Sequence, residues 1–494
     1  MEALTRCNEQ SVSKILSVLL LCFTAISLLL LLCFDQYACP VETLAAIADS
    51  VIVSVVCISL IFGIYLYKRG KLTVGMMLAI VFTVGFALRL AYVIQYGYYE
   101  LQHDVESLKS SGHLSYIFRI SEGKGLPDSN DWQFSHPPLH HFIAAGVVWL
   151  SKLLGYSNEA AFENVQLLTL LYSTLIMFVS ALIFKEFGLK GRAFLLSFSL
   201  VAFHPTFFIF AGSINNDCLT ALLSLTAILF LVKWCKKKSI INAALIGLFV
   251  GFGMMTKFSA AIVAVVVAVT VIVSFILDHN KDYRAYILGT LIFLIIMLPL
   301  GLWYQIRNMI VFDQPLGYVS PISIENPLYI GDISILKRII LPFSLKPVGV
   351  FVNVWEEHNL WTYILRNSLF NEYSFGNVVI ALFAVICNFI LIVVSIVSLI
   401  ISAKRKYRIF GFPTLILGLF WLAQMLFFLY FNISYPFGCT MDFRYIPLTI
   451  VCGAAFVGSF LQKQKGNKGK LKLLSKVTEI TVLLFCVFST LAFL

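Results

Sequence analysis

The sequence predicts an all-α, polytopic membrane protein, and three observations predict it. Of its 494 residues 60% are hydrophobic and only 12% are charged, where a soluble domain lies nearer half and a quarter. Uninterrupted apolar runs of about 20 residues recur along the chain, the length that spans a hydrocarbon core. Lys and Arg gather in alternate loops, which is the positive-inside pattern of membrane proteins. The net charge of +11 follows from that pattern, so nucleic acid is not an expected partner.

The elements follow in order. The first run, Ile15 to Phe34, is too long for a signal-peptide core, and no small-residue cleavage site follows it. It is read as a retained helix. Spans are expected at roughly 13–34, 44–67, 72–96, 163–184, 192–212, 217–235 and 240–256. Six more are expected at roughly 259–277, 284–304, 376–401, 409–431, 444–461 and 473–493, about 13 in all. With the N-terminus in the cytoplasm, Lys68, Arg69, Lys71, Lys185, Lys190 and Arg192 face inside, as do Lys233, Lys236, Lys237 and Lys238. So do Lys404, Arg405, Lys406, Arg408 and the Gly/Lys-rich stretch 462–476. About 24 of the 36 basic residues then fall inside. The opposite orientation reverses that ratio.

Four regions result: two N-terminal helices in 1–71, a core in 72–304, a long outside loop in 305–375 and C-terminal helices in 376–494. The core contains a first outside loop, 97–162. Both loops carry Trp, Tyr, Pro and apolar stretches, so they are expected to fold against the membrane surface. Leu139 to Leu154 is apolar but short. If it crossed, every later loop would change sides and the charge bias would collapse, so it is read as an interfacial helix. Val105 to Ile120 is read as a second surface helix. The 11 cysteines contain no CxxC pair, and no zinc or disulfide framework is visible. Cys39, Cys218 and Cys439 fall in outside segments, which leaves a pairing among them open.

Polar residues stand out against this background in four places. His103 and Asp104 lie just beyond the third span, whose outer end carries Arg89. A carboxylate at a membrane rim suits a general base or a metal ligand; taken alone, Asp104 reads as a solvated loop acid. Ser135-His136-Pro137-Pro138-Leu139-His140-His141 places a Pro pair at a helix start. His136 and His140 are spaced to share a helix face, which suits a metal, although no carboxylate completes a ligand pattern. Asp217, in Ser213-Ile214-Asn215-Asn216-Asp217, is an acid at the mouth of a helix pair, read as functional or as a helix cap. Lys257 in Thr256-Lys257-Phe258 and Arg444 in Met441-Asp442-Phe443-Arg444-Tyr445 are outside cations against the charge bias. Each reads as a lipid-phosphate ligand or as a snorkelling side chain. Together these features put two acids and two cations on one face of the membrane. That set suits a transferase with a lipid-phosphate donor, the acid taking a hydroxyl proton and the cations stabilising the departing phosphate.

The order of these features resembles the GT-C superfamily of membrane glycosyltransferases, and within it the family 39-like group of protein O-mannosyltransferases and aminoarabinose transferases. The resemblance covers roughly residues 72 to 305, with a weaker echo at roughly 409–460. It is carried by Ala87-Leu88-Arg89-Leu90 leading to His103-Asp104, and by Ser135-His136-Pro137-Pro138-Leu139. It is carried further by His204-Pro205 with Asn216-Asp217, by Gly247 to Lys257, and by Arg444-Tyr445 with Pro447. The Pro-Pro-Leu motif after a loop Asp is the most specific of these.

The resemblance implies a GT-C-like bundle that binds a polyprenyl-phosphate-linked sugar from the outer side. Asp104 takes the place of the catalytic carboxylate, and Glu106, displaced one step from the usual position, is the second candidate for that role. Asp217 is the acid near the acceptor or a metal, which leaves a divalent metal open as a cofactor. Lys257 and Arg444 face the carrier phosphate, with His136 close by; His103 and Arg89 complete the candidate substrate-binding set. Trp355, Glu356, Glu357, His358 and Trp361 of the second loop suit closure over a sugar or a membrane rim. The expected activity is an inverting transfer to a lipid, glycan or protein acceptor at the outer face of a plasma membrane. Inversion follows from a single displacement by a base-activated hydroxyl. The alternative is a lipid or solute transporter or flippase. That class usually shows polar or broken segments at mid-membrane in two matching halves, which are not seen here. A third class is a non-catalytic assembly subunit in which Asp104 is dispensable.

Overall fold

The computed structural model describes residues 9–100, 104, 112–129, 131–278, 282–340, 358–373, 377–404, 411–463 and 470–493. His103, Glu106, Trp355, Glu356 and Glu357 lie outside them. The described chain is helical. In order the helices are α1 (Glu9–Cys33), α2 (Val41–Lys68), α3 (Val74–Gln95), α4 (His113–Ser121), α5 (Leu139–Leu153) and α6 (Asn158–Glu163). Then come α7 (Val165–Glu186), α8 (Gly191–Ala202), α9 (Pro205–Gly212), α10 (Asp217–Lys236), α11 (Ile240–Thr256) and α12 (Ala261–Leu277). The last are α13 (Tyr283–Phe312), α14 (Leu360–Phe370), α15 (Val378–Lys404), α16 (Gly411–Ser434), α17 (Thr449–Lys463) and α18 (Lys470–Leu491). Among the described residues the one β feature is an isolated antiparallel bridge, Tyr329 to Phe437.

Each span expected from the sequence is helical, and the protein is a multi-pass membrane protein. Among the described residues ten helices are long and apolar enough to cross, or eleven if α8 and α9 form one broken span. The break falls at Phe203-His204, ahead of Pro205, where proline disfavours helical backbone in the preceding residue. The expected thirteen also counted α11 and α17, which have 17 and 15 residues, short of the roughly 20 a straight span needs. Leu139–Leu153, read as interfacial, is a 15-residue helix. The stretch read as a second surface helix contains α4 in its C-terminal part. Of the cysteines for which a pairing was left open, Cys39 and Cys218 are free thiols.

The chain divides into two compact units, residues 1–186 with 208–320 and residues 187–207 with 321–494. In the first unit α11 packs against α10 and α13. Two glycines one turn apart allow the close approach, as small residues do between membrane helices. A Cβ on Gly247 would lie 2.8 Å from the carbonyl oxygen of Phe293, and one on Gly251 would lie 2.8 Å from Cβ of Leu300. The loop helices α4 and α5 are seated by a buried cluster of Tyr98, Leu114, Ile117, Ala144, Val148, Phe162 and Ile214. Burying large apolar side chains of this kind stabilises by roughly 1.5–3 kcal/mol each, which fixes the histidine-rich start of α5.

In the second unit α15 packs on α17 and α18, and α17 packs on α8. Ile330, Leu360, Tyr363, Phe428, Met441, Phe443 and Ile446 form its buried cluster around α14 and the turn that carries Arg444.

Candidate functional site

The first unit brings three of the motifs together around one asparagine. Pro138 precedes α5 as its N-cap, so His136 stands before the helix rather than on it. His136 and His140 therefore do not share a helix face, because the Pro pair starts the helix only after His136. The Asn216 amide nitrogen donates to Nδ1 of His136 at 3.2 Å and to the carbonyl oxygen of Thr256 at 2.9 Å. One side chain thus links the Pro-Pro turn, the start of α10 and the end of α11. Asp217 is the first residue of α10, where the positive end of the helix favours a carboxylate. Its backbone N–H donates to Oδ1 of Asn215 at 3.0 Å. Lys257 ends α11 in extended conformation, and its Nζ lies 2.5 Å from Oδ1 of Asp217. Asp217 is buried and the Lys257 side chain is 15% exposed. The cap reading of Asp217 does not hold, because Asn216 occupies the N-cap position and Asp217 is the first helical residue; its carboxylate pairs with a cation instead.

A second layer supports this one. His140 Nε2 donates to the carbonyl oxygen of Ile214 at 2.8 Å, which fixes the loop before Asn216. His113 Nδ1 and His141 Nε2 share a hydrogen bond of 2.8 Å with rings stacked at 8°, and Tyr116 stacks on His141 at 3.9 Å. Tyr304, fully buried on α13, donates to the carbonyl oxygen of Phe134 at 2.6 Å, and its hydroxyl lies 3.2 Å from that of Tyr116. Arg307 reaches the carbonyl oxygen of Pro127 at 3.2 Å. The Pro-Pro turn is therefore pinned from α4, α10 and α13.

The electrostatics follow from burial. His113 is held well below the usual histidine range, first by desolvation and then by His136, while Asp104 and Asp217 act in the opposite sense. His113 thus feels both acids. His141 is likewise held well below its usual range by burial and by His113. Burial pushes His140 down to about 4, against its bond to Ile214.

Asp104 is exposed, and its backbone is left-handed at φ 55°. Its carbonyl oxygen accepts from the backbone N–H of His113 at 2.9 Å. Arg89 is fully buried, its Nε donating to Ser173 Oγ at 3.0 Å and its guanidinium lying 5.4 Å from the centre of the Phe208 ring. It braces α3 against α7. Among the described residues no group of three or more His, Cys, Asp or Glu is arranged to hold a metal ion.

Arg444 belongs to the second unit. It sits in a single turn of 3-10 helix, with Nε 3.4 Å from Oδ2 of Asp442. Asp442 Oδ1 accepts from the Arg444 backbone N–H at 2.9 Å. Both cations singled out in the sequence therefore come with an acid. His113, Tyr116, Tyr304 and Arg307 were not singled out; an aromatic or basic residue in a loop or at a helix end carries no spacing signal. Asn216 lay inside a quoted motif, but its linking role needed the fold.

The fold is that of the GT-C membrane glycosyltransferases, and the likeness carried by the motifs is borne out. Residues 135–303 match the family described as dolichyl-phosphate-mannose-protein mannosyltransferase, a stretch that contains His136, Asn216, Asp217 and Lys257. The structure is similar to the oligosaccharyltransferase AglB from Archaeoglobus fulgidus, solved with an inhibitory peptide and a dolichol-phosphate. The TM-score is 0.50 at 13% identity, covering 83% of this chain and 54% of that one. The chain therefore spans about half the length of that enzyme. ArnT from Cupriavidus metallidurans in the apo state aligns with a TM-score of 0.45 at 16% identity, over 84% of this chain and 75% of that one. No curated protein matches the chain.

Proposed function

We propose that the protein is a membrane glycosyltransferase that moves a sugar, with inversion, from a polyprenyl phosphate to a hydroxyl of a lipid, glycan or protein acceptor. The observation that carries this reading is the convergence on Asn216 of the Pro-Pro turn and the end of α11, next to the Asp217–Lys257 pair. In this reading Asp104 accepts the acceptor's proton as its oxygen bonds to the sugar C1. The bond from C1 to the phosphate oxygen breaks, and the carrier leaves as the phosphate. Lys257 donates to that phosphate, and Asp217 holds Lys257 in place. His136 is fixed by Asn216 beside this pair. The reaction is assigned to the outer face of the plasma membrane. A divalent metal is assigned no role here.

Support comes also from exposure. Asp104 is exposed, and Asp217 is buried and paired with Lys257, which suits it to positioning. The test uses the full chain in lipid with a panel of radiolabelled polyprenyl-phosphate sugars. Asp104→Asn is expected to lower turnover by about 10²–10⁴-fold, the usual worth of a general base, with folding unchanged. Retained turnover moves the base to Glu106 or Asp217. No turnover with any donor, together with flux of a solute or lipid in liposomes, replaces the transferase by a transporter.

A further inference from the structure

Asp104 stands in left-handed backbone at φ 55°, a conformation that residues with side chains adopt at a cost and keep where the surroundings impose it. The start of α4 shows what imposes it. The N-cap of that helix is Gly112, at φ 110°, which supplies no side-chain cap bond. The first N–H groups of a helix have no partner within it. That of His113 is spent on the carbonyl oxygen of Asp104 at 2.9 Å. The residue assigned as base is thus tied to the first residue of α4.

His113 is fixed in turn by its ring, which is 2% exposed. Its Nδ1 lies 2.8 Å from Nε2 of His141, with the two rings parallel within 8°. His141 is fully buried on α5, and the Tyr116 ring stacks on it at 3.9 Å. Burial holds both imidazoles below the usual histidine range, so at neutral pH one ring donates and the other accepts with no buried charge. Leu114 and Ile117 also seat α4 through the apolar cluster. Apolar packing has no direction, whereas the hydrogen bond orients the helix's first residue. The His113 ring also lies 5.4 Å from that of His136, between ring centres. His136 is held by Asn216 beside the Asp217–Lys257 pair. One buried ring therefore stands between the backbone of Asp104 and the side of the site assigned to the phosphate.

We propose that His113 is a positioning residue: braced by His141, it sets the place of the Asp104 carboxylate relative to the Asp217–Lys257 pair. The inference rests on the reading of Asp104 as the base. His113 is itself buried, so its effect passes through Asp104 rather than through contact with an acceptor. A misplacement of about 1 Å in such a constellation costs about 10²-fold in rate.

His141 is the residue to cut, because its replacement leaves the bonded backbone of Asp104 and His113 chemically unchanged. In the full chain in lipid, with the panel of radiolabelled polyprenyl-phosphate sugars, His141→Leu is expected to lower kcat by about 10²-fold and to leave KM nearly unchanged. His141→Gln, whose amide can stand in for Nε2, is expected to recover most of that loss. In a chain that already carries Asp104→Asn, His141→Leu is expected to add little, because no base is left to place. Hydrogen exchange at the His113 amide needs no turnover. It is expected to quicken about fivefold in His141→Leu, the order of one lost hydrogen bond, and to return toward wild type in His141→Gln. If His141→Leu does not fold, His113→Leu against His113→Asn, whose amide can stand in for Nδ1, makes the same comparison. Undiminished kcat, a loss confined to KM, a full further loss on top of Asp104→Asn, or unchanged exchange overturns the proposal. Turnover kept in Asp104→Asn sinks the base reading and this inference with it. Turnover lost there but kept in His141→Leu sinks this inference and leaves the base reading standing.

Discussion

The two units handle polarity and space differently. In the first, ties run between residues far apart in sequence: Lys257 to Asp217 over 40 positions, Asn216 to His136 over 80 and Tyr304 to Phe134 over 170. Helices α11 and α13 approach until glycine is required. In the second, long ties also occur, Phe443 N–H to Asn367 Oδ1 over 76 positions, but the cation Arg444 meets an acid two residues away, at 3.4 Å. Helix α17 fits tightly on one side, where a Cβ on Gly458 would overlap Ser197, yet at Gly453 it lines a cavity of about 780 Å³ within the second unit, and a Cβ there would make only ordinary contact with Ser395. A site built from distant segments must be held rigid by its supports.

The sharpest way to break this comparison is to cut the long-range ion pair. Lys257→Met strands the buried Asp217 carboxylate and is expected to cost about 3–5 kcal/mol, read as a loss of thermal stability in detergent. Lys257→Met with Asp217→Leu removes both charges and is expected to recover most of that loss. An equal loss in the double variant would show that the pair is not the source.

Acid should weaken the first unit through its histidines. His140 is pushed down to about 4 in the fold, and His113 and His141 are lowered in the same direction. Between that value and the ordinary one near 6.5 the unfolded chain binds more protons. Their contribution is therefore complete above about pH 6.5 and is lost as pH falls toward 4. Melting temperatures across that range should fall with pH, and His140→Gln should flatten the slope.

Packing gives the next contrast. Gly251→Ala should destabilise by about 1–3 kcal/mol through overpacking against Leu300, while Gly453→Ala should be close to neutral. Comparable losses at both positions would erase the difference between the helices. Tyr304→Phe removes the bond to Phe134 and should cost about 1–2 kcal/mol. Asp442→Asn should cost least, since the amide oxygen can still accept from the Arg444 backbone; a loss matching that of Lys257→Met would make the two ion pairs equivalent.

Much of this was legible in the chain. Apolar runs located each span because a bilayer leaves the backbone no partner but its own helix, and the motif residues His136, Asp217, Lys257 and Arg444 stood out because charge is rare there. Helix length was less legible at the late motif: one span was expected over 444–461, but the helix there is Thr449–Lys463, since apolar composition does not report that a short 3-10 turn precedes it. The expected face-sharing of His136 and His140 failed for a local reason, the Pro pair between them.

The sequence by itself determined the class of protein, its helices and the polar residues worth watching, because those follow from local composition. Only the tertiary structure decided which of them meet. That Asn216 joins two motifs, that Lys257 spends its charge on Asp217 and that Tyr304 bonds to Phe134 depend on segments brought together by α10, α11 and α13. Hydrogen bonds act over about 3 Å, and no periodicity along a chain encodes such a distance between helices packed by their apolar faces.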